Sequence, residues 1–316
     1  MPSWAEDQFK KIVKLEILND RGPSARGHLI FPASKNDATL KHNKTNMQNI
    51  PPYILLEKKI GQTPLETLKI WQNENPELVN IPMAYAGRLD PMASGSLLIL
   101  IGEECKKQSE YHNLDKEYRV GILFGAQSDS GDVLGIISTH NYPEIKTEMI
   151  EEVLKTLIGD IELPYPVFSA KTVQGKPLHT WTVENRLHEI IIPTRKSTIY
   201  KLDLNQLSTL TRKEVVERSL TKIELIPPVT DPRKALGNDF RRPDVRKSWQ
   251  NFLESGAAED IFYLADITCI CSSGTYMRTL AEVIATKLDT RGLAFSIHRT
   301  VVGKYNQSNK TWLERF

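Results

Sequence analysis

The chain has 316 residues, of which 40% are hydrophobic and 25% charged, as in an ordinary globular protein. These proportions exclude global disorder and a collagen-like or low-complexity chain, and the length predicts about two domains or one elaborated domain. Because the net charge is only +2, any nucleic-acid partner must be held by a local basic patch.

Cysteine and histidine usage excludes two further classes of protein. Three cysteines cannot form a disulfide framework, and the seven histidines are scattered without zinc-like spacing. The first residues have no signal-peptide pattern, and the longest strongly apolar run, 97–101, is far below the ~20 residues of a membrane helix. We therefore expect a cytoplasmic protein that uses no metal or cofactor and has no membrane partner.

The N-terminal half predicts an irregular extension followed by strands and helices. Residues 9–19 suit a strand or short helix inside an extension that covers 1–50. Thr63 and Pro64 predict a helix start, 94–103 a buried strand, and 116–137 two strands joined by a turn. Apolar residues at helical spacing in 146–159 predict an amphipathic helix that ends at Gly159.

The C-terminal half predicts more strand than helix. A strand is expected at 190–207, a strand that enters a turn at 261–276, and a helix at 278–288. The polar, proline-punctuated stretch 228–260 is typical of an inserted surface loop. Since helices alternate with more numerous strands, we predict an α+β fold with a central mixed, largely antiparallel sheet flanked by helices.

Three residues stand out as candidates for chemistry. Asp90 lies in a glycine-bounded loop before a buried strand, where a carboxylate can act as nucleophile or general base, although Asp-Pro is also ordinary turn chemistry. Arg278 lies in the first turn of a helix, gains nothing there from the helix dipole, and either pairs with a carboxylate or is exposed. Tyr118 begins a strand and can stack on a base or pack at the core edge.

Six blocks of sequence resemble the TruB family of tRNA pseudouridine synthases, in the family's order and over about residues 52–305. They are G-R-L-D-P-M-A-S-G-S-L (87–97), K-E-Y (116–118), S-D-S-G-D (128–132), P-V-F-S-A-K-T-V-Q-G-K-P-L (166–178), S-S-G-T-Y-M-R-T-L (272–280) and H-R-T-V-V-G (298–303). Several blocks in register are far more specific than any one of them.

The resemblance implies a pseudouridine synthase fold and isomerisation of a uridine in the T-arm of tRNA, position 55 in tRNA numbering. Asp90 corresponds to the catalytic aspartate, Arg278 to its arginine partner and Tyr118 to the tyrosine that stacks on the target base. Tyr276 and Ile297 correspond to residues that line the uracil pocket. We expect a monomer whose catalytic domain spans 51–316, without the small C-terminal PUA domain of many members.

Departures from the family pattern keep alternatives open. Tyr85 stands where members carry a histidine that helps hold the everted base, and Arg88 stands where they carry a threonine. G-R-L-D also resembles the catalytic loop of ribosomal-RNA pseudouridine synthases of the RsuA and RluA types. The alternatives are an rRNA enzyme, a non-catalytic RNA-binding or tRNA-folding protein, and, remotely, a glycosidase, for which no second acid stands out.

Local charge predicts where RNA binds. Residues 233–247 contain six basic and two acidic side chains, so phosphate contact and a solvated loop are about equally plausible for this segment. Lys171 and Lys176, in the family-like segment 166–178, are further candidates for RNA contact.

Overall fold

The computed structural model describes residues 50–140, 142–229 and 239–316. The element predicted in 9–19, and the predicted N-terminal extension apart from residue 50, lie outside these residues. The described strands are β1 (Tyr53–Lys58), β2 (Met83–Tyr85), β3 (Ser94–Ile101), β4 (Asp115–Phe124), β5 (Ala126–Ser128), β6 (Ile137–Thr139), β7 (Gly159–Pro164), β8 (Thr172–Val173), β9 (Lys176–Pro177), β10 (Thr194–Thr211), β11 (Ile261–Cys271), β12 (Gly292–Asn306) and β13 (Thr311–Arg315).

Nine of these strands form one sheet, in which the order β1-β3-β12-β4-β11-β10-β7 is extended by β2 on β3 and β13 on β12. Strand β12 pairs parallel to β3, and the other neighbours in this sheet are antiparallel. The small pairs β5-β6 and β8-β9 lie outside it. The predicted fold class is therefore confirmed: α+β, with a mixed, largely antiparallel sheet.

The α-helices are α1 (Pro64–Glu74), α2 (Gln108–His112), α3 (Thr147–Thr156), α4 (Leu178–Val183), α5 (Arg212–Glu224), α6 (Arg242–Glu254) and α7 (Met277–Lys287). Short 3₁₀ segments lie at Pro76–Leu78, Gly102–Lys107, Leu187–Glu189 and Asp239–Arg241. Within the described parts of the chain, none of the helices combines the length and apolar character that crossing a membrane would require.

Helix boundaries follow local chemistry where a cap is present. Thr63 caps α1 as predicted, because its side chain accepts from the backbone N–H of Glu66 while the Glu66 carboxylate accepts from the Thr63 N–H. Helix α3 ends earlier than predicted. Gly159 is instead the first residue of β7, with a φ of +112°.

Helix α6 corrects the prediction of a surface loop over 228–260. Val245, Trp249 and Phe252 are buried in the main core, and the indole Nε1 of Trp249 donates to the carbonyl of Val133 at 3.1 Å. The loop prediction is wrong for 242–254, because Pro243 lies in the first turn of a helix rather than interrupting one. Few apolar residues stand at helical spacing in this stretch, and charged residues separate them, so the sequence does not show a clear amphipathic helix.

Two bodies of apolar side chains position the candidate site. The main core lies against the sheet and includes Leu89 and Met92 from the loop around Asp90. A separate cluster holds residues 165–192 together and is built on Leu178, Trp181, Leu187 and Ile190. We call residues 165–192 the arm.

Candidate active site

Asp90 and Arg278 are joined by an ion pair, although they lie 188 positions apart in sequence. The Nε of Arg278 donates to Oδ2 of Asp90 at 2.9 Å. The Arg278 side chain is only 7% exposed, whereas that of Asp90 is 44% exposed. The pairing expected from the resemblance is therefore present, with the carboxylate open to a ligand and the guanidinium buried behind it.

The remaining nitrogens of Arg278 are also engaged. Nη1 donates to the carbonyl of Ser130 at 2.9 Å, and Nη2 donates to the carbonyl of Phe168 at 3.2 Å. Oδ2 of the buried Asp132 lies 3.6 Å from Nε. These contacts fix the plane of the guanidinium and therefore the direction in which Asp90 is held.

Asp132 is a second carboxylate at this site, and the sequence analysis did not identify it. Its Oδ1 accepts from the Ser130 hydroxyl at 2.7 Å and from the Leu134 N–H at 2.9 Å. Burial raises the pKa of Asp132, although Arg278 and the Ser130 hydroxyl act in the opposite direction. The S-D-S-G-D block contained the signal, but no pattern in it distinguishes a buried carboxylate from a turn residue.

Glu282, one helical turn after Arg278, is the third carboxyl group that acts electrostatically on the Arg278 guanidinium. Burial raises the pKa of Glu282 to about 7, and Arg278 acts against that shift. For Arg278 itself, burial acts to lower the pKa, but the carboxylates of Asp90, Asp132 and Glu282 outweigh it and the pKa is raised. One buried guanidinium thus interacts electrostatically with three carboxyl groups, and it stays charged throughout the physiological pH range.

The loop that carries Asp90 is fixed by a close approach of two strands. Gly95 of β3 pairs with Arg299 of β12, and an added Cβ at Gly95 would overlap the backbone of Arg299. Gly95 also has a φ of +108°, a conformation that other residues rarely adopt. Glycine is therefore required where the loop enters the sheet.

Two buried cations bind the backbone of the same loop. The Nε of Arg299 donates to the carbonyl of Ser96 at 2.8 Å, and its Nη atoms lie 3.4 Å from the carbonyl oxygens of Gly87 and Arg88. Lys58 donates to the carbonyl of Ala93 at 2.6 Å. Burial lowers the pKa of Lys58 to about 8. These contacts make the loop a rigid mount for Asp90.

Tyr118 and Ile297 lie on adjacent strands of the sheet, β4 and β12. Tyr118 of β4 is opposite Arg299 of β12, and Ile297 is opposite Val120 two pairs further along. Both contact the core cluster that contains Leu89. Burial raises the pKa of Tyr118 to about 12, so its hydroxyl stays neutral at physiological pH.

Tyr276 occupies the N-cap position of α7, two positions before Arg278, without a side-chain capping hydrogen bond. Its ring lies 5.2 Å from that of Tyr165 in the arm, and burial raises its pKa to about 12. Tyr85 lies elsewhere: it ends β2, and its ring packs against the apolar cluster of Leu68 and Met83. A contact of Tyr85 with substrate stays a prediction.

The predicted basic patch is largely neutralised by its neighbours. Arg241 pairs with Asp129, Arg242 with Asp239 and Arg246 with Glu224. Arg233 and Lys234 lie outside the described residues. In the arm, Lys171 lies over the ring of Tyr165, and Lys176 pairs with Glu184. The described arginines of the patch thus neutralise carboxylates of this chain, which argues against the patch as a main phosphate site.

Comparison with known proteins identifies similar sequences. The model described as "TruB family pseudouridylate synthase (N terminal domain)" matches residues 80–221. A tRNA pseudouridine synthase B of Caldicellulosiruptor saccharolyticus is 34% identical over 151 residues, covering 48% of this chain and 50% of that protein. The protein of the same name from Bordetella avium is 26% identical over 274 residues, covering 86% of this chain and 88% of that one.

The chain is also similar to a solved structure, at low sequence identity. A crystal structure of a Cbf5-Nop10-Gar1 complex is similar at a TM-score of 0.44 and 15% identity, covering 88% of this chain and 59% of that one. The matched part of this chain spans half the length of the Caldicellulosiruptor protein. The matched segment, which contains Asp90 and Tyr118, is thus similar to the N-terminal domain of TruB family pseudouridylate synthases.

Proposed function

We propose that this protein isomerises a uridine of tRNA to pseudouridine, at position 55 in the T-arm, and that Asp90 initiates the reaction. The observation that carries the proposal is the 2.9 Å contact between Arg278 and the solvent-open carboxylate of Asp90 in a chain similar to the TruB family. The relatives named tRNA pseudouridine synthase B support tRNA as the substrate.

The reaction rearranges one nucleotide without loss of atoms. The N1–C1′ bond of uridine breaks, the uracil rotates, a C5–C1′ bond forms, and the proton that leaves C5 is balanced by one gained at N1. Asp90 can attack C1′, attack the uracil ring or take a proton from C2′. All three routes need an ionised carboxylate, and the guanidinium of Arg278 stabilises that form when a bound base excludes water.

The target base must leave its stack before Asp90 can reach it. Flipping costs a few kcal/mol, and stacking on an aromatic ring returns about 1–3 kcal/mol. Tyr118 supplies that ring in the proposal, with Ile297 and Tyr276 as walls of the uracil pocket. Tyr85 is proposed as a further substrate contact.

Binding of the RNA body is assigned to the arm, with Lys171 as the main phosphate contact and Lys176, which also pairs with Glu184, as a secondary one. Both lysines lie over aromatic rings, which holds their side chains in defined positions. We propose that the protein acts as a monomer in the cytoplasm, on a catalytic domain of 51–316.

The test is incubation of the purified protein with unmodified tRNA and with unmodified rRNA, followed by mapping of pseudouridine. The proposal expects product at position 55 of tRNA, and none with Asp90→Asn at unchanged tRNA affinity. Asp266→Asn is the matched control, because this carboxylate pairs with Arg119 rather than with Arg278. Product only in rRNA, or RNA binding without product, would replace the proposal by the corresponding alternative.

A further inference from the structure

The segment Asp239–Arg241 has an unusual backbone directly before α6. Its residues Asp239, Phe240 and Arg241 have φ values of +46°, +49° and +64°. Left-handed conformations at residues other than glycine cost of order 1–3 kcal/mol each and persist only where the surroundings impose them. Three in succession therefore indicate that strong contacts hold this segment in place.

Those contacts come from two separate parts of the chain. Nη1 and Nη2 of Arg241 donate to the two carboxylate oxygens of Asp129, at 2.6 and 3.1 Å. The Arg241 guanidinium also lies 4.3 Å from the ring centroid of Phe168 in the arm. The neighbouring Phe240 ring packs edge-on against the Phe168 ring, with 6.2 Å between the ring centroids. The segment thus joins the 128–132 turn to the arm.

The two residues held by Arg241 belong to the segments that hold Arg278. Asp129 directly precedes Ser130, whose carbonyl accepts from Nη1 of Arg278, and the carbonyl of Phe168 accepts from Nη2. A shift of either segment would therefore rotate the guanidinium that orients Asp90. Arg241 thus contacts both of the segments that hold Arg278.

We propose that Arg241 is a positioning residue that sets the geometry of Arg278 and Asp90, an inference that rests on the proposed function. Its residue number lies beyond the 80–221 range matched by the family model. A role as a phosphate contact fits the geometry less well. Both terminal nitrogens are engaged by Asp129, and Nε is buried.

The experiment compares Arg241→Met with Arg241→Lys and with a matched control, Arg246→Met. Arg246 lies on α6 and pairs with the exposed Glu224, away from Arg278. With saturating tRNA, Arg241→Met is expected to lower the single-turnover rate by between about 10-fold and 100-fold, as misplacement of a reacting group does. Affinity for tRNA should change less than about threefold, Arg241→Lys should recover part of the rate, and the control should match the wild type.

A second readout needs no substrate. Solvent exchange of the Arg278 Nε proton, followed by ¹⁵N NMR, should quicken about tenfold or more in Arg241→Met and stay unchanged in Arg246→Met. If Arg241→Met fails to fold, Asp129→Asn removes the same ion pair and is expected to show both effects.

The outcomes separate the two proposals. A wild-type protein that makes no pseudouridine refutes the proposed function, and the exchange measurement still decides the role of Arg241. Unchanged rate and exchange in Arg241→Met would overturn the positioning role. Weakened tRNA binding at an unchanged saturated rate would instead make Arg241 an RNA contact, which also overturns it.

Discussion

Replacing Arg278 by methionine tests whether the buried guanidinium is the electrostatic centre of the site. The substitution keeps an unbranched apolar stem but removes the cation. It leaves the carbonyls of Ser130 and Phe168 without this donor and the buried Asp132 without its counter-charge. Removing one partner of a buried ion pair costs about 3–5 kcal/mol, so we expect a loss of that size in the free energy of unfolding at pH 8.

The loss should depend on pH with a definite sign. Burial already raises the pKa of Asp132, and removal of Arg278 raises it further. A carboxyl group whose pKa is raised by folding destabilises the protein above that pKa and ceases to do so once protonated. The deficit of Arg278→Met should therefore be largest at pH 8 and smaller at pH 5.

Urea unfolding at both pH values measures these free energies. Arg119→Met is the control, because the Arg119 side chain is 60% exposed in its pair with Asp266 and such pairs contribute about 0–1 kcal/mol. If Arg278→Met were as stable as Arg119→Met at pH 8, the central role assigned to the guanidinium would be refuted. A pH-independent deficit would remove Asp132 from the explanation.

Glu282→Gln should raise the free energy of unfolding at pH 8 by up to about 3 kcal/mol. Folding raises the pKa of Glu282 from 4.5 to about 7, so the stability of the wild type falls between those pH values and that of the variant does not. If urea unfolding gave the variant the same pH dependence as the wild type from pH 4.5 to 8.5, this reasoning would be contradicted. Gly95→Ala should cost at least about 2 kcal/mol, since it combines a left-handed φ with overlap on Arg299, and an unchanged melting temperature would be inconsistent with the loop geometry. Trp249→Ala should lower the free energy of unfolding by about 3–5 kcal/mol, measured by thermal unfolding, whereas Lys247→Ala on the exposed face of α6 should leave it unchanged. Equal losses of stability in the two variants would contradict the burial of α6.

The strands and the capped helix could be predicted because their signals are local. The apolar run 94–103 contains β3, and Thr63 with Pro64 begins α1. Helix α6 could not be predicted in the same way. Its few apolar residues are separated by charges, and they become core residues only because the rest of the core lies against them.

The candidate site also contains residues that could be identified from the sequence and residues that could not. Asp90, Tyr118 and Arg278 could be named from short blocks that resemble a family. Asp132, Glu282 and Arg241 could not, because a buried carboxylate and a bracing arginine look like turn and surface residues in sequence. Their importance comes from burial and from what they contact, and neither property is encoded within a few residues.

The sequence by itself thus predicted the strands and helices whose signals are local, excluded a disulfide framework, and named Asp90, Tyr118 and Arg278 as candidate residues for the chemistry. Only the tertiary structure decided which charges are buried and which of them meet. The parallel pairing of β3 with β12 and the packing of α7 bring Arg278 to Asp90 across 188 positions. Such contacts depend on the order of strands in the sheet, whereas helix and strand patterns depend on side chains a few positions apart.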